Sequence, residues 1–199
     1  MRPIKTFNLS NILEYYLTDN DVLSEYDLLL LRHGISILLQ DGSEMISALI
    51  FGAFMHRTID ALIFLICFCS LRIYTGGLHA RTPAGCYCGF MMMFAAVLGF
   101  CSMSIPVFVS AILSMISALY IILCSPAEHP LNPLTPSQKR SAKQHALVLT
   151  LTGLIFESVL IYLKPACIKP ITAAFLLNCI LMILLKCSGF LRGRKDARR

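Results

Sequence analysis

From Thr82 to Ala127 the chain runs for 46 residues without an Asp, Glu, Lys or Arg. A membrane-spanning helix needs about 20 mostly apolar residues, so this run is long enough for two. Lipid offers no partner to an unpaired backbone amide, and helices solve that problem within a single segment. The run therefore predicts two helices, with Ser102, Ser104 and Pro106 marking the turn between them. The rest of the chain agrees: 57% of the 199 residues are hydrophobic and the mean hydropathy is +0.73, too apolar for an ordinary soluble domain.

Further spans are expected at about 43–71, 144–163 and 170–185. The segment 22–40 is apolar too, with Arg32 and His33 embedded, and either crosses the membrane or lies in its interface. Ahead of it, Asn11 followed by Glu14 has the pattern of a capping box, opening an amphipathic helix that Thr18–Asp21 breaks. The first residues carry no apolar core of signal-peptide type, so no cleavable signal is expected. The expected fold is all-α: one polytopic membrane domain over 1–199, with about six membrane-embedded helices. An amphipathic helix within 1–20, a polar loop and helix start at 72–87, and a Pro-rich basic loop at 125–143 complete it.

Basic residues predict the orientation. If 22–40 crosses and the loop at 72–81 is inside, 12 Lys and Arg lie in inside segments, against Lys164 and Lys169 outside. The positive-inside rule favours this arrangement, with both termini and the 72–81 loop in the cytoplasm. The net charge of +6 is then an orientation signal. Its basic residues sit at helix ends, without the aromatic-interleaved patch expected of a nucleic-acid binder. Nine cysteines raise the question of disulfides, but most fall in apolar spans, where a thiol behaves as a small hydrophobe.

The chemistry concentrates where a polar loop meets the charge-free run. Thr82-Pro83 reads as a helix start, with Thr as N-cap and Pro at the first helical position. Cys86 then falls one turn into the helix, near its positive dipole end, with Arg72 and Arg81 adding charge nearby. Such surroundings favour a thiolate. Gly76 and Gly77 would let the chain bend so that His79 returns over the helix start. A Cys–His pair in contact is an activated nucleophile. The same stretch also offers soft metal ligands in His79, Cys86 and Cys88, with Met91, Met92 and Met93 following. Cys86 and Cys88 point from different faces of a helix, which weakens the metal reading, but a transporter or metal-handling protein remains the rival class.

The spacing Arg72-x6-His79-x6-Cys86, with Gly-Gly before the His, resembles the signature of the accessory gene regulator B (AgrB) family. Gly34–Leu39 is similar to the family's segment before its first long span. Pro126-Ala127-Glu128 with Asn132-Pro133-Leu134 resembles its Pro-rich loop, which ends in basic residues, here Lys139, Arg140 and Lys143. One departure is Asn132, where the family usually has lysine. The resemblance implies a bacterial membrane cysteine endopeptidase that processes the precursor of a cyclic-peptide pheromone, without a metal or other cofactor. It implies Cys86 as nucleophile and His79 as general base, with Arg72, Gly76 and Gly77 in supporting or substrate-binding roles. The implied partners are the peptide precursor, the bilayer and a second copy of the chain.

Polar residues within spans also need an account. His56, Arg57 and Asp60 are expected on the 43–71 helix, with Arg57 and Asp60 paired at i, i+3; Glu157 is expected to find a partner across helices, and Gln40 to end a helix rather than orient a reaction intermediate.

Overall fold

The computed structural model describes residues 25–76, 82–127 and 134–196. The expected amphipathic helix near the N-terminus, residues Gly77–Arg81 with His79, and residues 128–133 of the Pro-rich loop lie outside them. Among the described residues six α-helices are observed: α1 (Glu25–Phe54), α2 (Thr58–Thr75), α3 (Pro83–Ser102), α4 (Val107–Cys124), α5 (Pro136–Leu163) and α6 (Ile168–Asp196). All six contain a stretch long and apolar enough to cross a membrane. The chain is an all-α protein of membrane-spanning type.

The chain divides into two compact units, Met1–Ser47 and Ala48–Arg199, with the boundary inside α1. In the first unit the helix runs without a break through Asp41-Gly42-Ser43. Gln40 therefore does not end a helix. It sits in mid-helix, its Nε2 donating to Glu44 Oε1 at 3.3 Å, one turn on. The apolar stretch of α1 is Ile37–Phe54, later than the expected 22–40 span.

In the second unit the expected 43–71 helix is broken. Met55, His56 and Arg57 form a turn between α1 and α2, with His56 at φ +56°. The Arg57–Asp60 pair forms as expected, at 2.8 Å, but at a helix start and not in mid-span. There Asp60 meets both the guanidinium and the positive end of the α2 dipole. The turn between α3 and α4 falls at Met103–Pro106, where the serines and proline placed it.

Helix α6 is the central element, packing against α2, α3, α4 and α5. In its apolar stretch 61% of residues are buried, against 17–33% in the other five. Ile171, Ala174 and Phe175 pack inward, and the Phe175 ring lies so close to Gly153 on α5 that a Cβ there would come within 2.7 Å of it. Glycine at position 153 thus makes room for the Phe175 ring, which any larger residue would displace. Phe64 and Phe68 of α2 meet Phe94 and Phe90 of α3, at ring distances of 5.8 and 6.3 Å. This aromatic seam sets the register of α3 on α2, and so the level at which Cys86 sits. Large apolar side chains such as Phe108, Met115, Leu119 and Ile155 point outward, as lipid-facing residues do.

Candidate active site

The helix start at Thr82 forms as the sequence indicates. Thr82 has extended dihedrals, its Oγ1 accepts from the Gly85 amide at 3.2 Å, and Pro83 opens α3. The Cys86 amide donates to Thr82 O at 3.0 Å, the first intrahelical bond. Cys86 is partly exposed, whereas Cys101, further down the same helix, is buried. The first turn of α3 is thus presented at the surface with a thiol on it. The amides of Gly85 and Cys86 are committed to Thr82, and Pro83 has none, which narrows the first-turn donors to Ala84.

The aromatic seam relates Cys86 to Arg72. Phe68 and Phe90 face each other across α2 and α3. Cys86 lies four residues before Phe90 and Arg72 four residues after Phe68. Because α2 enters the loop and α3 leaves it, each step is one helical turn toward the loop. Arg72 and Cys86 therefore sit at the same level, one turn beyond the ring pair. The Arg72 guanidinium lies over the Phe68 ring at 5.7 Å from its centroid, a cation–π contact that holds positive charge at this level.

The end of α2 is fastened more tightly than the sequence suggested. Thr75, its last residue, is buried, and its Oγ1 donates to Asn178 Oδ1 of α6 at 3.3 Å. Asn178 in turn donates to Ala174 O at 2.9 Å and Phe68 O at 3.5 Å. Thr75 O accepts from the Ala127 amide at 2.8 Å, and Ser125 Oγ donates to Tyr74 O at 3.4 Å. The Tyr74 ring stacks on His145 of α5 at 4.8 Å. Gly76 follows at φ +74° and ψ 174°, with its Cα so close to Ala127 that a Cβ would lie 2.5 Å from Ala127 O. The chain that leads to His79 and the chain that leads into the Pro-rich loop thus start from one hydrogen-bonded junction.

Of the residues singled out from the sequence, Arg72, Gly76 and Cys86 are brought to this end of the helix bundle. Gly77 and His79 lie outside the described residues. Sequence reasoning missed the Thr75–Asn178 bond, and it placed Pro126 and Ala127 in the Pro-rich loop without their junction to Thr75. The available signal was Asn178, a lone amide in an apolar span, which must find partners there.

Comparison with known proteins gives a family to this arrangement. The model for "Accessory gene regulator B" matches residues 10–189. The chain belongs to the AgrB family. A relative in Clostridium beijerinckii, described as AgrB-like, is 26% identical over 192 residues, covering 94% of this chain and 92% of its own length. No solved structure matches. Family membership carries a role in quorum-sensing peptide processing, and the matched region contains Arg72, His79 and Cys86.

Proposed function

We propose that this AgrB-family chain is a membrane cysteine endopeptidase that cleaves an autoinducing-peptide precursor near its C-terminal side and supports its cyclisation. The observation that carries the reading is Cys86: a partly exposed thiol in the first turn of a capped helix, level with Arg72, in a chain that matches the family across this region. The helix end and the guanidinium set positive potential on the side of the helix start where the sulfur sits.

In this reading His79 takes the Cys86 proton as the sulfur attacks the scissile carbonyl carbon. The Ala84 amide donates to the oxyanion that forms. The C–N bond then breaks, His79 returns the proton to the leaving amine, and an acyl thioester on Cys86 remains. A thiol or hydroxyl within the retained peptide attacks the thioester carbonyl, closing a thiolactone or lactone and restoring the Cys86 thiol. An internal acceptor has a high effective concentration, and a site at the membrane edge limits competing water. Arg72 holds the departing tail through charge-assisted hydrogen bonds to its carboxylates. The loop and both termini face the cytoplasm of a bacterial cell, where a newly made precursor arrives. A second copy of the chain completes a homodimer.

The test uses the purified full chain with the peptide encoded by a neighbouring short reading frame, and reads tail release by mass spectrometry. Cys86→Ala and His79→Ala each abolish release, and Cys88→Ala retains it. Release by the Cys86→Ala chain would overturn the mechanism.

A further inference from the structure

Away from the Cys86 end, three helices enclose a carboxyl group. Glu157 of α5 lies six residues from the far end of its helix and is only 3% exposed. Its Oε1 accepts from Ser114 Oγ of α4 at 2.7 Å and from Thr172 Oγ1 of α6 at 3.1 Å. Ser114 Oγ and Thr172 Oγ1 are themselves 3.0 Å apart. One turn from Ser114 on the same face, Ser110 is fully buried, and its Oγ has no hydrogen-bond partner. Ser110 O lies 3.5 Å from Thr172 Oγ1, so the residue that carries the unpartnered hydroxyl stands beside the same group of oxygens.

Two features call for an occupant. A carboxylate in a lipid-embedded bundle is costly unless a cation or a proton neutralises it, and among the described residues no Lys, Arg or His forms an ion pair with Glu157. A buried hydroxyl without a partner is likewise rare and calls for a bound species. The donors are all hard oxygens, one carboxylate with hydroxyls and a carbonyl, which is the ligand chemistry of alkali and alkaline-earth ions. A single carboxylate balances one positive charge, and Ser114 and Thr172 bring their hydroxyls to the same carboxylate oxygen. Thr172 can turn its proton to Ile168 O, 3.2 Å away, freeing its lone pair for the ion. Ser114 can do the same toward the carbonyl one turn before it.

We infer that Glu157, Ser114, Thr172 and Ser110 form an intramembrane site for a small monovalent cation of the sodium class. The site ties α4, α5 and α6 together at the end of the bundle opposite Cys86. It is independent of the peptidase reading.

Thermal unfolding of the full chain in detergent, at one pH and constant ionic strength, tests the site with sodium chloride exchanged for choline chloride or potassium chloride. Sodium raises the melting temperature saturably, and equilibrium dialysis with radioactive sodium gives one ion per chain. Glu157→Gln, which keeps an acceptor for both hydroxyls, loses the sodium response and the binding. Ser110→Ala breaks no hydrogen bond made by its side chain, so it leaves the sodium-free melting temperature unchanged and weakens half-saturation several-fold. Equal responses to sodium and choline, which a proton on Glu157 would give, overturn the proposal. So does a sodium response that survives in Glu157→Gln, or unchanged sodium affinity in Ser110→Ala.

Discussion

Gly76 combines φ +74° and ψ 174°, a backbone region open essentially to glycine, with Ala127 O where a Cβ would have to sit. Gly76→Ala is therefore expected to cost about 1–3 kcal/mol from the backbone alone, and to push the 125–127 strap away from Thr75. Tail release falls with it, since the chain toward His79 starts at this residue. Gly89→Ala is the control: nothing lies within 4 Å of its Cβ position in mid-α3, and a helical alanine is expected to be neutral or to add about 0.5–1 kcal/mol. Thermal melts and cleavage rates of the two variants should diverge; matching behaviour would show that the junction does not matter. Gly76 was legible from the sequence as a bend, because a Gly-Gly pair before a helix start is a local signal. Its partner was not. Ala127 lies about fifty residues further on, and the Pro-rich pattern around it marks a loop without saying what that loop touches. The Thr75–Asn178 bond is the same case, since its two residues are 103 positions apart and only the fold brings them together. Asn178→Leu keeps the volume and removes the amide. In membrane bundles such bonds average about 0.6 kcal/mol, so the variant should fold, melt slightly lower and lose more cleavage than stability.

Among the helices, hydropathy located apolar stretches better than it located helix ends. Helix α5 begins at Pro136, two turns before the expected span at 144, because a capping box starts it. Thr135 Oγ1 accepts from the Gln138 amide and Gln138 Oε1 accepts from the Thr135 amide. The polar turns that follow carry Lys139, Arg140 and Lys143 as helix, and present His145 to Tyr74. Thr-Pro-x-Gln was readable as a start signal; the apolar criterion passed over it because these turns stand outside lipid. Thr135→Ala should remove about 1 kcal/mol of capping, seen as faster amide exchange at Gln138 and Lys139 with the Phe175 core unchanged. Protection equal to that of the parent would mean that packing alone holds this end. The opposite error occurred in α1 and α2. Asp41-Gly42-Ser43 looks like a break, yet the helix continues, with Ser43 Oγ turned back on Gln40 O at 2.8 Å. Met55-His56-Arg57 has neither Gly nor Pro, yet it turns, because an uninterrupted 43–71 helix would put Arg57 and Asp60 in mid-span. The cost of burying charge outweighed local propensity.

For the molecule as a whole, those corrected ends redistribute charge in a way that bears on orientation. With the turn at 55–57, Arg57 joins Lys164 and Lys169 at the helix ends facing away from Cys86. Arg72, Lys139, Arg140 and Lys143 stay at the Cys86 end. The bias is smaller than the sequence count suggested and keeps its sign, and the positive-inside rule reads the excess of Lys and Arg in short loops. The far end also differs in kind: Arg57 pairs with Asp60 and Lys169 donates to Met103 O at 2.6 Å, so these two cations are tied to helix ends. Those of α5 stand on an exposed helical face. Single cysteines placed in a chain otherwise free of them should therefore separate by side. His56→Cys, exposed in the α1–α2 turn, reacts with a membrane-impermeant maleimide in intact cells, and Lys143→Cys reacts only after permeabilisation. The reverse pattern would put Cys86 outside the cell, away from any newly made precursor. It would end the cytoplasmic processing proposal while leaving the fold and the sodium site untouched.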